Sequence, residues 1–161
     1  MFRQIALVTG GLYLHSMPGR FESWQEFQNN CAKYNIDRIL CLTSMLEIAA
    51  KSPEYASAIE LQKLSCGIDI YPIQDFSSPE DQQHFSSTLQ LCAERLQRGE
   101  SLLIPCAAGI GRTGSSAICL LLKLGYPLAE ASDMVTAAGS GPETSGQKSF
   151  IASYAQRPNA E

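Results

Sequence analysis

The stretch Ser101-Leu-Leu-Ile-Pro-Cys-Ala-Ala-Gly-Ile-Gly-Arg-Thr-Gly114 constrains the chain more than any other. Ser101 to Ile104 reads as a short buried strand, and the apolar run Ser115 to Leu124 reads as a helix. The loop between them is punctuated by Gly109 and Gly111, and Arg112 and Thr113 fall in the first helical turn. That turn has N–H groups without intrahelical partners, and the aligned peptide dipoles add roughly half a positive charge there. Anions bind readily at such a place. If the loop from Ala107 to Gly111 curls around one centre, its amides form a nest for a phosphate-like oxyanion. Gly109 and Gly111 supply the unusual dihedrals that curling needs. Arg112 adds a planar fork able to grip two anion oxygens. In the same field a thiol whose free pKa is about 8.5 can fall to ~3.5–7.5, so Cys106 is expected as a thiolate at neutral pH. An activated sulfur at the base of an oxyanion cradle suits attack on phosphorus through a covalent intermediate.

The rest of the chain alternates strand and helix signals. Ile5 to Val8 and Leu12 to His15 are short apolar runs parted by Gly10-Gly11, which predicts a hairpin or two edge strands. Ser23-Trp-Gln-Glu26 is a capping-box pattern, and Trp24, Phe27, Cys31 and Tyr34 recur at helical spacing. Arg38 to Leu42 reads as a strand. Ser44-Met-Leu-Glu47 repeats the cap pattern, and Ser52-Pro53 offers another start, so one broken or two short helices fill Ser44 to Leu64. Gly67 to Ile73 is the next strand and delivers the loop Gln74-Asp75-Phe76-Ser77. A long helix follows the cap at Ser78-Pro-Glu-Asp81, with Phe85, Leu89, Cys92 and Leu96 on one face, and Gly99 ends it. Beyond the helix after Arg112 come a helix from about Leu128 to Ala138, a Gly139-Ser-Gly-Pro142 turn, and a last helix near Ser145 to Tyr154; only the tail from Arg157 looks frayed. This order predicts an α/β fold: a central, mostly parallel twisted sheet of four to five strands flanked by helices. The phosphate-binding loop lies between a central strand and a helix.

At 161 residues and 45% hydrophobic content, the chain is expected to form one domain over residues 1–161 with a continuous core. A net charge of −4 leaves no electrostatic footprint for nucleic acid or an anionic membrane. Six cysteines without a CxxC pair suggest neither a zinc site nor a disulfide scaffold, and a reducing compartment fits them. Cys31, Cys41, Cys66, Cys92 and Cys119 each lie in an apolar segment and are expected to be buried. Neither His15 nor His84 has metal-ligand spacing, so both read as structural or exposed. The N-terminus lacks the apolar core of a signal peptide, and Ala117 to Leu122 is too short to span a bilayer, which points to a cytoplasmic protein.

Cys106-Ala-Ala-Gly-Ile-Gly-Arg112-Thr113-Gly114 resembles the Cys-x5-Arg-[Ser/Thr] signature of protein tyrosine and dual-specificity phosphatases. The order of Leu12-Tyr-Leu-His-Ser-Met-Pro-Gly19, the Asp75 loop, the cradle and the helical tail through Ile151 is most similar to the kinase-associated dual-specificity branch. The resemblance implies a phosphoprotein phosphatase needing no metal or other cofactor, with Cys106 as nucleophile and Ala107, Ala108, Gly109, Ile110, Gly111 and Arg112 as the phosphate cradle. Displacing an alcohol or phenol needs a proton donor on the leaving oxygen. Asp75, just beyond a strand ending in Pro, resembles the family's general acid; a plain turn aspartate is the other reading. By the same resemblance the Thr113 hydroxyl would hydrogen-bond the sulfur, or else cap the helix. Gln147 sits where related phosphatases often carry a glutamine that orients water, though a solvated helix residue fits that position equally. Pro105 departs from the family, which usually has a His there that helps hold the thiolate. Two rival readings use the same residues: a phosphate-binding protein that turns over poorly, and sulfur or arsenate transfer through the thiolate. The uncharged cradle positions Ala107, Ala108 and Ile110 argue against highly anionic head groups. A phosphorylated protein or peptide is the expected partner.

Overall fold

In a computed structural model, which describes residues 1–157, the chain runs β1 (Arg3–Ile5), β2 (Gly11–His15), α1 (Trp24–Lys33), β3 (Arg38–Cys41), α2 (Met45–Lys51), α3 (Pro53–Glu60), β4 (Gly67–Ile70), α4 (Gln82–Gln97), β5 (Ser101–Pro105), α5 (Gly111–Lys123), α6 (Leu128–Ala137) and α7 (Ser145–Ala155). One five-stranded sheet has the order β1-β2-β5-β3-β4. Only β1 runs antiparallel to its neighbour; β2, β5, β3 and β4 are parallel. This is the expected α/β sandwich. The expectation of a frayed tail concerns mainly residues 158–161, which lie outside the described residues.

Alternation along the strands divides the core. Leu12, Leu14, Leu40, Leu102 and Ile104 pack with α4, α5, α6 and α7, while Tyr13, Ile39, Cys41 and Leu103 pack with α1, α2 and α3. With both faces covered, a central strand must be apolar at every position, which is why β5 reads as an unbroken hydrophobic run. Each fully buried leucine of β5 contributes about 1.5–3 kcal/mol.

The helix signals are realised at their predicted starts. Ser23 accepts from the Glu26 N–H while the Glu26 side chain accepts from the Ser23 N–H, closing the capping box on α1. Phe27 and Cys31 form its buried face. The region from Ser44 splits into α2 and α3 at Ser52-Pro53. Two strands differ from expectation by more than one residue. β1 occupies Arg3–Ile5 rather than Ile5 to Val8, because Ile5 pairs with Leu12 and places Phe2 and Ile5 inside, leaving Val8 98% exposed. β4 stops at Ile70, since Pro72 has no N–H for the ladder, but Tyr71 and Ile73 still donate to the Cys41 and Leu42 carbonyls at 2.8 and 3.0 Å.

Candidate active site

β5 ends at Pro105 and α5 begins at Gly111, so residues 106–110 turn at the C-terminal edge of the parallel strands, where open α/β sheets hold ligands. Pro105 is tolerated because β3 pairs with β5 only at Leu102 and Leu103, so the absent N–H falls beyond that ladder. Its carbonyl still accepts from the Leu42 N–H at 3.4 Å.

The loop closes on its own sulfur: the Gly109 N–H donates to Cys106 Sγ at 3.2 Å. Carbonyls on either side turn away from the sulfur. The Ala107 carbonyl accepts from the Met17 N–H at 3.3 Å and Arg20 Nη1 at 2.9 Å, and the Gly109 carbonyl accepts from Arg3 Nη2 and Ser140 Oγ, both at 2.6 Å. Gly109 has φ +75°, and a side chain there would meet the His15 backbone at 2.5 Å, so only glycine fits. Gly111 has a different reason than the expected dihedral. It opens α5 with ordinary helical geometry, and its bare Cα makes room for the Glu143 carboxylate.

Arg112 is 2% exposed, and most of its fork is committed. Nη1 and Nη2 each donate to one Glu47 oxygen at 2.9 Å, Nη1 also donates to the Ile73 carbonyl at 2.9 Å, and Nη2 lies 3.2 Å from Asp75 Oδ1. Among the described residues Nε makes no hydrogen bond. An incoming oxyanion can therefore use the Nε–Nη2 edge, displacing Asp75, while Glu47 keeps the plane fixed. Burial acts to lower the Arg112 pKa, but the Glu47 hydrogen bond and the charges of Cys106, Glu47 and Asp75 outweigh it and raise the value. The Arg112 hydrogen bond likewise holds the Glu47 carboxyl below its ordinary pKa, against burial.

Asp75 sits on an exposed loop next to Phe76, whose φ of +61° is rare for a bulky residue. Three contacts hold that conformation. Asp75 Oδ1 accepts from the Phe76 N–H at 3.0 Å, the Phe76 carbonyl accepts from Thr144 Oγ1 at 3.2 Å, and the Ser77 carbonyl accepts from Gln147 Nε2 at 3.2 Å. Gln147 is fully buried, and its Oε1 accepts from the Glu143 N–H at 2.7 Å. Gln147 is thus not a solvated helix residue: its amide ties the Asp75 loop to the segment leading into α7. Thr113 also has a different partner than expected: its hydroxyl donates to the Ile104 carbonyl at 3.3 Å.

A cleft of about 200 Å³ brings together Cys106, Arg112, Asp75, Arg20, Lys51 and Glu143, with Ala107, Ala108 and Gly111 in its wall. Gly109 and Ile110 complete the loop behind it. The uncharged cradle therefore does not make an uncharged mouth, because Arg20, Lys51, Asp75 and Glu143 reach the cleft from other segments. Four cysteines away from the cleft are held protonated by burial, which pushes the thiols of Cys31 and Cys92 up to about 12 and that of Cys66 up to about 11, and raises that of Cys119. His15 is buried against Phe2 and bonded to Glu22, and His84 is exposed beside Tyr71, as their spacing suggested. Among the described residues no three His, Cys, Asp or Glu side chains are grouped to hold a metal ion. Among the described residues no helix is long and apolar enough to cross a membrane.

Sequence reasoning missed Glu47, Arg3, Arg20, Lys51, Ser140 and Glu143. Glu47 was visible only as a helix-cap residue, and Ser140 only as part of a turn between glycines.

A cysteine under an amide cradle, with an arginine in the first turn of the following helix, on a mostly parallel five-stranded sheet, defines the cysteine-dependent phosphatase fold. The chain belongs to the family described as Swiss Army Knife protein, DSP-PTPase phosphatase domain, whose model matches residues 6–160. Solved structures agree. Kinase-associated phosphatase, solved with its catalytic-site cysteine replaced by serine, superposes with a TM-score of 0.81 at 19% identity over 98% of this chain and 97% of that one. Tk-PTP in its active form gives 0.75 at 22% identity, covering 97% and 98%. PTPMT1 in complex with PI(5)P gives 0.71 at 11% identity, covering 90% of each. The kinase-associated branch suggested by the motif order is consistent with these likenesses. No curated protein matches the chain in sequence.

Proposed function

We propose that the chain is a single catalytic domain over residues 1–161 that hydrolyses phosphomonoesters on phosphotyrosine, phosphoserine or phosphothreonine through a cysteinyl-phosphate. One observation carries this reading: Cys106, Arg112 and Asp75 line one cleft, with the Gly109 N–H on the sulfur. The Cys106 thiolate attacks phosphorus, forming the S–P bond as the ester P–O bond breaks. The cradle amides and Arg112 meet the charge growing on the equatorial oxygens. Asp75, released from Arg112, gives its proton to the departing oxygen. In the second step ionised Asp75 takes a proton from water as the water attacks phosphorus, and the S–P bond breaks to return the thiolate and release phosphate. Thr113 and Gln147 support this chemistry from behind, Thr113 by bracing the end of β5 and Gln147 by holding the Asp75 loop. The six free cysteines fit a reducing, cytoplasmic setting.

A second reading, a phosphate-binding protein with weak turnover, is favoured by the Asp75–Arg112 ion pair, which draws the acid onto the anion site. The test is phosphate release from p-nitrophenyl phosphate and from phosphotyrosine and phosphothreonine peptides. Cys106→Ser should abolish turnover on all three. Normal turnover by that variant would sink the scheme, and phosphopeptide binding without release by the unsubstituted protein would favour the second reading.

A further inference from the structure

We propose that Arg3, acting with Ser140, is a positioning residue that aims a cradle amide at the substrate phosphate; the proposal rests on the phosphatase reading above. Both side chains donate to the Gly109 carbonyl at 2.6 Å. In a trans peptide the carbonyl and the following N–H point to opposite sides, and the described residues contain no cis peptide. Holding the Gly109 oxygen outward therefore turns the Ile110 N–H inward. The same logic applies at Ala107, whose carbonyl is held by the Met17 N–H and Arg20, so that the Ala108 N–H faces in. Arg20 also lines the cleft and could touch substrate itself, whereas Arg3 and Ser140 lie outside it and act only through the peptide.

Arg3 is well placed to fix that plane. Its Nη1 also donates to the Ala138 carbonyl at 3.0 Å and to Ser140 Oγ at 2.9 Å, so the guanidinium is tied on two sides. The loop carrying Ser140 reaches the cradle because Gly114 has no side chain: a Cβ there would collide with the Gly141 backbone. With that space free, the Gly141 N–H donates to the Ile110 carbonyl at 3.2 Å. Burial lowers the Arg3 pKa while the Cys106 charge opposes this. Pro105 offers the sulfur no side-chain donor; behind this loop Arg3 places a positive charge at the Gly109 peptide, as Arg20 does at Ala107. A charged donor on a carbonyl also polarises its peptide and strengthens the N–H on the other side.

The test compares unsubstituted protein with Arg3→Met, Arg3→Lys and Ser140→Ala. It measures tungstate binding by calorimetry, p-nitrophenyl phosphate kinetics and thermal midpoint. Arg3→Met should weaken tungstate binding about 10- to 100-fold, in line with a misaimed oxyanion donor, and should lower kcat by more than it raises KM. Ser140→Ala should weaken tungstate binding about fivefold, as for one lost hydrogen bond. Arg3→Lys, which keeps a charged donor, should recover part of the loss. Variants that melt lower yet bind tungstate and turn over like the unsubstituted protein would overturn the proposal, leaving Arg3 a purely structural tie. If Arg3→Met does not fold, Ser140→Ala decides on the same two readouts. Absence of both tungstate binding and turnover in the unsubstituted protein would instead bring down the phosphatase reading, and this proposal with it.

Discussion

Glu47 and Arg112 face one another edge to edge, each carboxylate oxygen accepting one guanidinium N–H at 2.9 Å. Substrate thus meets a cation whose plane is set beforehand by α2. Glu47→Ala leaves a nearly buried charge half-partnered, a change that costs about 3 kcal/mol for a buried pair. A misaimed fork should lower kcat/KM on p-nitrophenyl phosphate roughly 100-fold. Urea unfolding and steady-state kinetics check both, and an unchanged kcat/KM would show that Arg112 holds its own direction.

The same pair makes stability depend on pH. Because Arg112 depresses the Glu47 pKa, the contribution is complete above the unfolded value of about 4.3 and is lost as pH falls through the lower folded value. Glu47→Gln should be less stable than the unsubstituted protein at pH 7, and the gap should narrow steadily in acid. Urea midpoints measured from pH 7 down to pH 3 test this; a constant gap would contradict it.

Asp75→Asn should slow hydrolysis of phosphopeptides about 10²- to 10⁴-fold, the usual range for a lost general acid. The loss should be smaller for p-nitrophenyl phosphate, whose leaving group needs little protonation. The acidic group should also vanish from the pH–rate profile. Equal losses on both substrates would mean that Asp75 serves mainly as a counter-ion for Arg112.

Gln147→Ala leaves the Ser77 carbonyl and the Glu143 N–H without their side-chain partner, at a cost of about 1–3 kcal/mol if they stay dry. It should lower kcat through the loosened Asp75 loop while leaving the rate of Cys106 alkylation unchanged. Altered alkylation would mean that Gln147 supports the cradle rather than the loop.

Iodoacetamide at neutral pH should modify Cys106 before Cys31, Cys66 and Cys92, whose thiols burial keeps protonated. Tungstate should protect it. Peptide mass spectrometry gives the order, and earlier modification of Cys66 would count against an activated Cys106.

The cradle and its helix were legible because strand, loop and helix are consecutive, and local patterns report consecutive structure well. The helix starts at Ser23 and Ser44 were legible for the same reason. Glu47 was hidden by that very legibility: its position three residues after Ser44 satisfied a capping pattern, while its carboxylate bonds across 65 positions to Arg112. Gln147 and Thr113 were found as residues, but their partners, Ser77 and Ile104, depend on how loops and strands stack. The shift of β1 to Arg3–Ile5 followed from burial of Phe2 and Ile5, which the apolar run Ile5 to Val8 masked.

The ties on the Gly109 carbonyl span 106 positions to Arg3 and 31 to Ser140. During synthesis a ribosome-bound chain that has only reached Gly114 already contains every residue of the signature, but not the hydroxyl that helps orient it. Long-range contacts of this kind are made late in folding, after their loop-closure entropy has been met. Under the proposed phosphatase function, competence is therefore a property of the finished fold, and recovery of activity during refolding should report closure of the sheet and of the α6–α7 loop rather than formation of α5.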